Sequence, residues 1–253
     1  MTQANTAINR TDDASDIFKP IELTVTLRQA ILLERERSSR VPRGEPTSRE
    51  RILDAAEVLF GAEGPDVVSL RDISARSGAA TGLIHYHFPT KENLLEETVA
   101  RRATILTEIR RNSLAALGEH PSVAALLDAF MRPLVELAAS ADRGWASYCG
   151  VIARIAASES RGQLIAKHLD EAAKIYVAAL KRAAPKADEN DVLYAFGFSV
   201  ILMVNVIVKN RRIETMSDGR LPAEDFTATY HRLLKYCVAG MEALSADKIS
   251  EIK

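Results

Sequence analysis

Residues 68–95 read VSLRDISARSGAATGLIHYHFPTKENLL, and this stretch decides the fold. Ser69 stands directly before Leu70 and Ile73, with Arg71, Asp72 and Arg76 making the polar side. A serine there accepts hydrogen bonds from the free N–H groups of the next helical turn, and Asp72 at the third helical position adds a favourable negative charge. The helix has room for about two turns before Gly78, which goes left-handed without strain and redirects the chain. Ala79 and Ala80 are small enough for two helices to approach closely. Thr81 opens the second helix, in which Ile84 and Phe88 lie four apart on the core side. Thr81, Gly82, His85 and Tyr86 fall on other faces, with Leu83 at the boundary. Pro89 ends this helix by pushing Phe88 out of the helical region. Thr90 caps the next, with Asn93 where a capping box has Glu or Gln. A capped short helix, a glycine turn and a second short helix make a helix-turn-helix, which implies sequence-specific DNA binding.

Working outward, Ile52, Ala56, Leu59 and Phe60 recur at helical spacing, so an amphipathic helix is predicted from Ser48 to about Ala62. Gly61, Gly64 and Pro65 mark its end. Its apolar stripe covers the two short helices, and a fourth helix is expected over 91–112.

The unit resembles the N-terminal domain of the TetR family of bacterial transcriptional regulators. The resemblance rests on Ile52, Ala55, Ala56, Leu59 and Phe60, then Gly64, Ser69 to Ile73, Gly78, Gly82, Ile84, His87, Phe88, Lys91, Leu94 and Leu95. It covers about 50 of the 253 residues, and its HF-x-x-K-E-x-L ending is its most specific part. The family pattern usually has tyrosine where this chain has His85, and often a small polar or basic pair at Ala80 and Thr81. The resemblance implies an all-α protein with a three-helix DNA-binding domain and a larger helical domain for effector binding and dimerisation. It implies that Ser69 and Lys91 meet phosphates and that Thr81, Gly82 and Leu83 lie at the groove floor. His85 and Tyr86 would touch backbone or base edges, and Arg71 joins the DNA-binding set. Each type suits its role: glycine permits close approach, leucine meets a thymine methyl, and lysine neutralises a phosphate. Ser69 as a plain cap and Leu83 as a plain core residue remain alternatives.

Charge does not argue for DNA. The chain carries a formal −1, and residues 47–102 hold seven basic and nine acidic side chains, so any positive face must come from placement. Arg35, Arg37, Arg40 and Arg43, upstream of Arg49 and Arg51, are either a solvated linker or an arm for phosphates or the minor groove. Residues 1–16 read as disordered, 17–39 as holding a short helix with Leu27, Ile31 and Leu32 on one face, and 21–27 as a doubtful strand. The expected division is an N-terminal extension at 1–46, the DNA-binding domain at 47–102 and the second domain at 103–253.

His85 and His87 are two apart on a helix and point to different faces, so no metal site is expected; zinc sites on helices favour a four-residue spacing. Cys149 and Cys237 are solitary and fit a reducing, cytoplasmic setting. No secretory pattern opens the sequence. Ser158, Ser160 and His168 build no triad, and no phosphate-binding, zinc-protease or nucleophile-elbow motif is present, so the chain reads as a non-enzyme without a cofactor.

Past residue 103 helical patterns continue. Ser122 caps a helix through Leu126, Phe130 and Leu137 with Pro133 inside it, and Gly144 precedes one with Trp145, Tyr148, Cys149 and Ile152. A long helix is predicted over 159–184, another from Asp188 to about Arg211, and a last one from Pro222 to about Leu244. The run VLYAFGFSVILMVNVIV, 192–208, sits at the short end of the membrane-spanning range and contains Ser199 and Asn205. A helix apolar all round needs cover on every side, so 188–211 and 222–244 are expected to pair with their copies in a homodimer. Phe130, Trp145, Tyr148, Tyr176 and Phe196, with Arg154, His168 and Asn205 as polar groups, are the candidate effector-binding residues, each with a core or surface role as alternative.

These readings point to a ligand-responsive repressor that binds a pseudo-palindromic operator as a dimer and is released by a small apolar or acyl molecule. The competing reading is a ligand-independent architectural or co-regulator protein, which a solidly packed second half would favour.

Overall fold

The computed structural model describes residues 45–244. The expected basic arm, short helix and doubtful strand lie outside the described residues. Within them the elements are α1 (Ser48–Ala62), α2 (Leu70–Ser77), α3 (Thr81–His87), α4 (Lys91–Ala115), α5 (Val123–Ala139), α6 (Arg143–Ala156), a 3-10 turn (Glu159–Arg161), α7 (Gly162–Ala183), α8 (Glu189–Ile207), α9 (Arg212–Met216) and α10 (Phe226–Leu244). The fold is all-α.

Local chemistry sets most boundaries. Thr47 and Glu50 form a reciprocal capping box on α1. Ser69 and Asp72 do the same on α2, and Gly78 ends it in the left-handed region at φ 68°. Phe88 before Pro89 is extended, which stops α3 at His87. Thr90 accepts from Asn93 N at 3.0 Å, the Thr90 half of the expected box. Ser122, Asp142 and Asp188 cap α5, α6 and α8.

α1 ends at Ala62 as expected, with Gly61 inside it and the turn at Gly64, φ 97°. Other boundaries depart from expectation. α4 runs on to Ala115, past the expected 112, and α7 begins at Gly162, after a 3-10 turn over the first residues of the helix expected from 159. α8 stops at Ile207, short of the expected end at about Arg211, and the short α9 follows just past that point. The last helix begins at Phe226, not Pro222, because the Asp225 carboxylate accepts from Ala228 N at 2.9 Å and caps that end.

Ile52, Ala56, Phe60, Ile73, Ile84, Phe88, Leu94 and Leu95 close the small core of α1–α3 and the start of α4. That core is continuous with a larger one in which α5 packs on α4, α7, α8 and α10, and α10 lies along α8. α4 passes unbroken through the expected boundary at residue 102. The closest approach between the two halves is α1 against α6. A β-carbon on Gly61 would lie 2.3 Å from Ser147 O, and one on Gly150 would lie 2.6 Å from Gly61 O. The two backbones touch there because neither glycine has a side chain.

Candidate nucleic-acid interface

α3 turns one side inward and leaves the other free. Ile84 is fully buried, while Gly82, Leu83, His85 and Tyr86 are exposed; Tyr86 reaches 81%. Thr81 and His87 are half-buried. The N-terminus of α3 differs from those of its neighbours. Ala80 offers no side-chain cap, and the first amides bonded within the turn are those of Leu83 and Ile84. The Thr81 and Gly82 N–H groups thus carry no hydrogen bond among the described residues.

The flanking groups brace this helix. Ser48 Oγ and His87 Nε2 are 3.0 Å apart, tying the start of α1 to the end of α3. His87 therefore serves inside the domain, and no metal-ligand cluster occurs among the described residues. Lys91 Nζ donates to Val68 O at 3.2 Å, joining α4 to the turn before α2. Ser69 Oγ donates to Asp72 Oδ2 at 2.6 Å, and this bond, with that from Ser69 N, holds the Asp72 carboxyl below the usual carboxylate range. Arg71 and Arg76 are exposed on α2, which places positive charge beside α3 despite the acidic balance of the unit.

Behind the reader stands an ion-pair junction that sequence reasoning missed. Glu57 of α1, 2% exposed, accepts from Arg101 at 2.8 Å and from Arg102 at 2.8 and 2.9 Å. Arg101 also reaches Asp54 at 2.6 Å, and the Arg102 guanidinium lies over the Trp145 ring at 4.8 Å. Arg161, ahead of α7, forks onto Asp66 at 2.8 and 2.7 Å. These pairs fasten α1 and its following turn to α4 and the second half.

The residues expected to bind an effector divide. Phe130, Trp145, Tyr148, Tyr176 and Phe196 are all buried. Phe130 meets Tyr176 and Phe196 edge to face at 5.1 and 4.9 Å, and Trp145 meets Tyr148 at 5.6 Å. Arg154 lies elsewhere: it donates to Gly61 O at 3.1 Å and to Ala62 O, bonding carbonyls that the end of α1 leaves free. Asn205 is exposed and bonds Ile201 O and Asn210. His168 approaches Glu96 at 3.4 Å. None of them lines either of two cavities. One, about 880 Å³, runs between α5 and α10 past Asp128, Arg132 and Tyr230; the other, about 530 Å³, lies between α8 and α10. Arg110, buried in α4 against Phe130, was absent from the expected set; its one signal is an arginine beside Ile109 and Leu106 on a core-facing stripe.

Comparison with known proteins agrees with this geometry. The family profile "Bacterial regulatory proteins, tetR family" matches residues 52–98, and "Tetracyclin repressor-like, C-terminal domain" matches residues 128–240. The HTH-type transcriptional regulator BetI of Agrobacterium fabrum is 36% identical over 73 residues, 29% of this chain and 34% of that protein. An HTH-type transcriptional repressor of Mycobacterium tuberculosis is 40% identical over 75 residues, 28% of this chain and 40% of that protein. The matched region thus spans well under half of the length of these relatives. The overall fold is shared with the fatty acid degradation regulator FadR of Bacillus halodurans, with TM-score 0.53 and 16% identity, covering 82% of this chain and 99% of the other. A transcriptional regulator of Pseudomonas aeruginosa superposes with TM-score 0.55 at 18% identity, over 82% of this chain and 96% of the other. With the reading helix, its brace and the larger helical half in place, the chain belongs to the TetR family of bacterial transcriptional regulators.

Proposed function

We propose that the chain acts as a homodimeric repressor that sets α3 of each copy into the major groove of a pseudo-palindromic operator and is released by a small molecule. In this reading residues 47–102 are the reader and 103–253 hold the effector and the second copy. Thr81, Gly82, Leu83, His85 and Tyr86 face the bases and backbone, and Ser69, Arg71 and Lys91 face phosphates.

The observation that carries the dimer, and with it two-half-site recognition, is the bare apolar face of α8. Leu193, Tyr194, Phe198 and Ile201 are 47–63% exposed, and Tyr236 on α10 is 71% exposed beside them. Contiguous apolar surface of this kind marks an interface. By length and composition α8 would also pass for a membrane span, as the core or interface helix of a soluble protein does. A second copy laid on α8 and α10 makes a four-helix bundle, which sets two readers roughly 34–36 Å apart, one turn of duplex. The test combines light scattering with operator binding. The intact chain is expected to be a dimer, and the double variant Phe198→Asp with Ile201→Asp to be a folded monomer that no longer holds the operator. A monomeric wild type that binds its operator tightly would defeat the reading.

The closed packing of Phe130, Tyr148, Tyr176 and Phe196 favours, as a second reading, a regulator that needs no ligand. Operator binding that no small molecule loosens is its expected sign.

A further inference from the structure

We propose that Arg110 and Tyr148 receive the acidic head of an apolar carboxylate effector, with the Phe130, Tyr176 and Phe196 rings around its tail. The proposal rests on the ligand-responsive reading above and names the chemical class of the ligand.

Arg110 is 3% exposed. Its Nε donates to Phe130 O at 3.0 Å, and its guanidinium carbon lies 3.7 Å from the centre of the Phe130 ring. No carboxylate pairs with it among the described residues. The less deeply buried Arg101, Arg102 and Arg132 each hold one, as do the more exposed Arg49 and Arg111. Burial lowers the Arg110 pKa to about 10, so the side chain is still a cation at neutral pH. The second signal comes from another helix. The Tyr148 hydroxyl, on α6, is buried without a hydrogen-bond partner; burial pushes its pKa well above the usual phenol value, and the Arg110 cation acts on it in the opposite sense. Tyr176, the other tyrosine at this point, already donates to Arg110 O at 2.7 Å.

A buried cation without a counter-charge and a buried hydroxyl without an acceptor are both costly, and one ligand group relieves both. A carboxylate accepts two parallel guanidinium N–H bonds and has lone pairs left for a phenol. Its single charge matches one arginine, whereas a phosphate dianion would bring charge that nothing here neutralises. The surroundings are aromatic, so the remainder of the ligand is apolar. The α5–α10 groove is a poorer candidate. Its Asp128, Arg132 and Tyr230 satisfy one another at 2.7–2.9 Å, and its Glu136, His231 and Lys235 are engaged as well.

Arg110 lines neither cavity, so in this proposal the ligand enters by opening the edge-to-face Phe130–Phe196 contact, and that movement is the signal. Arg110 stands near one end of α4, with Lys91 at the other. Tyr148 shares α6 with Ser147, Gly150 and Arg154, the residues that hold α1. The two helices that would grip the carboxylate therefore also position the reader.

Trp145 is the chain's one tryptophan and its ring is 5.6 Å from that of Tyr148, so intrinsic fluorescence reports on the site. The full chain is titrated with octanoate, dodecanoate and phenylacetate, and in parallel with the corresponding alcohols and methyl esters. At least one acid is expected to bind about 10- to 100-fold more tightly than its neutral counterparts. Tyr148→Phe should narrow that ratio several-fold. Arg110→Met should abolish it while raising the thermal midpoint, because an unpaired buried charge is gone. Acids that bind no better than alcohols, no acid binding at all, or a preference that survives Arg110→Met each overturn the proposal. If Arg110→Met does not fold, the wild-type comparison and Tyr148→Phe decide. Operator release by a neutral compound, without acid preference, sinks this site and leaves the repressor reading standing. An operator complex that no small molecule loosens sinks that reading itself.

Discussion

Adding one methyl group at Gly61 should separate the reader from the rest of the molecule. The new β-carbon would sit 2.3 Å from Ser147 O, a backbone atom that no rotamer change can move. Reaching ordinary contact requires α1 and α6 to part by about 1 Å along their crossing. Overpacking of this kind costs about 1–3 kcal/mol. Alanine returns up to about 1 kcal/mol because it is the better helix former; an approach as short as 2.3 Å to backbone falls at the upper end of the overpacking range, leaving a net loss of about 2 kcal/mol. Gly82→Ala is the matched control: Gly82 is also helical, and nothing lies within 4 Å of where its β-carbon would be. That variant should gain about 0.5–1 kcal/mol in stability. Urea unfolding measures both, as a shift in midpoint at constant slope. Opposite signs are expected for the same chemical change. Gly61→Ala as stable as the wild type would show that the helices do not touch there, and the coupling of reader to bundle through α6 would fall with it.

Other consequences follow from the same contacts. Glu57→Gln leaves Arg101 and Arg102 without their shared buried carboxylate and should cost about 3 kcal/mol in urea unfolding; a loss below about 1 kcal/mol would mean that the junction is not a pair in solution. Lys91→Ala should weaken operator binding evenly across sequences and flatten the salt dependence by about one unit, whereas a sequence-selective loss would contradict a phosphate contact. Acid should act late. Glu50, Asp66, Asp72 and Glu96 are held below the ordinary values of 4.5 for glutamate and 3.8 for aspartate, first by hydrogen bonds from Thr47, Arg161, Ser69 and Lys167 respectively. Carboxyls whose folded affinity for protons is depressed add stability above their unfolded values and lose it as pH falls through the folded ones. Urea midpoints should therefore hold level from neutrality to about pH 4.5 and drop below it; an earlier decline would point to other groups.

What could be read in advance was whatever the chain settles within about four residues. Ser69 with Asp72, Gly78, Pro89 and Thr90 each act on their own turn, so α2, α3 and the start of α4 fell where expected. Pro222 misled because proline permits a helix start without enforcing one, and Asp225 three residues later supplies the cap. Contacts across long separations were hidden. Arg154 looked like a polar group on an apolar helix, and its bonds to Gly61 and Ala62 cross some 90 residues. Gly61 resembled a helix terminator because its reason for being glycine, the Ser147 backbone, lies in another helix. The aromatic residues expected to surround an effector do gather at Phe130, Tyr176 and Phe196, but the cation beside them, Arg110, was one arginine among many until its burial was known.

Hydroxyl-radical footprinting of the intact chain on the DNA upstream of its own gene tests the central claim most directly. Two protected half-sites of related, inverted sequence, centred about one helical turn apart and lost with Phe198→Asp and Ile201→Asp together, are the predicted result. Uniform protection without half-sites, or no protection even at low salt, would contradict it.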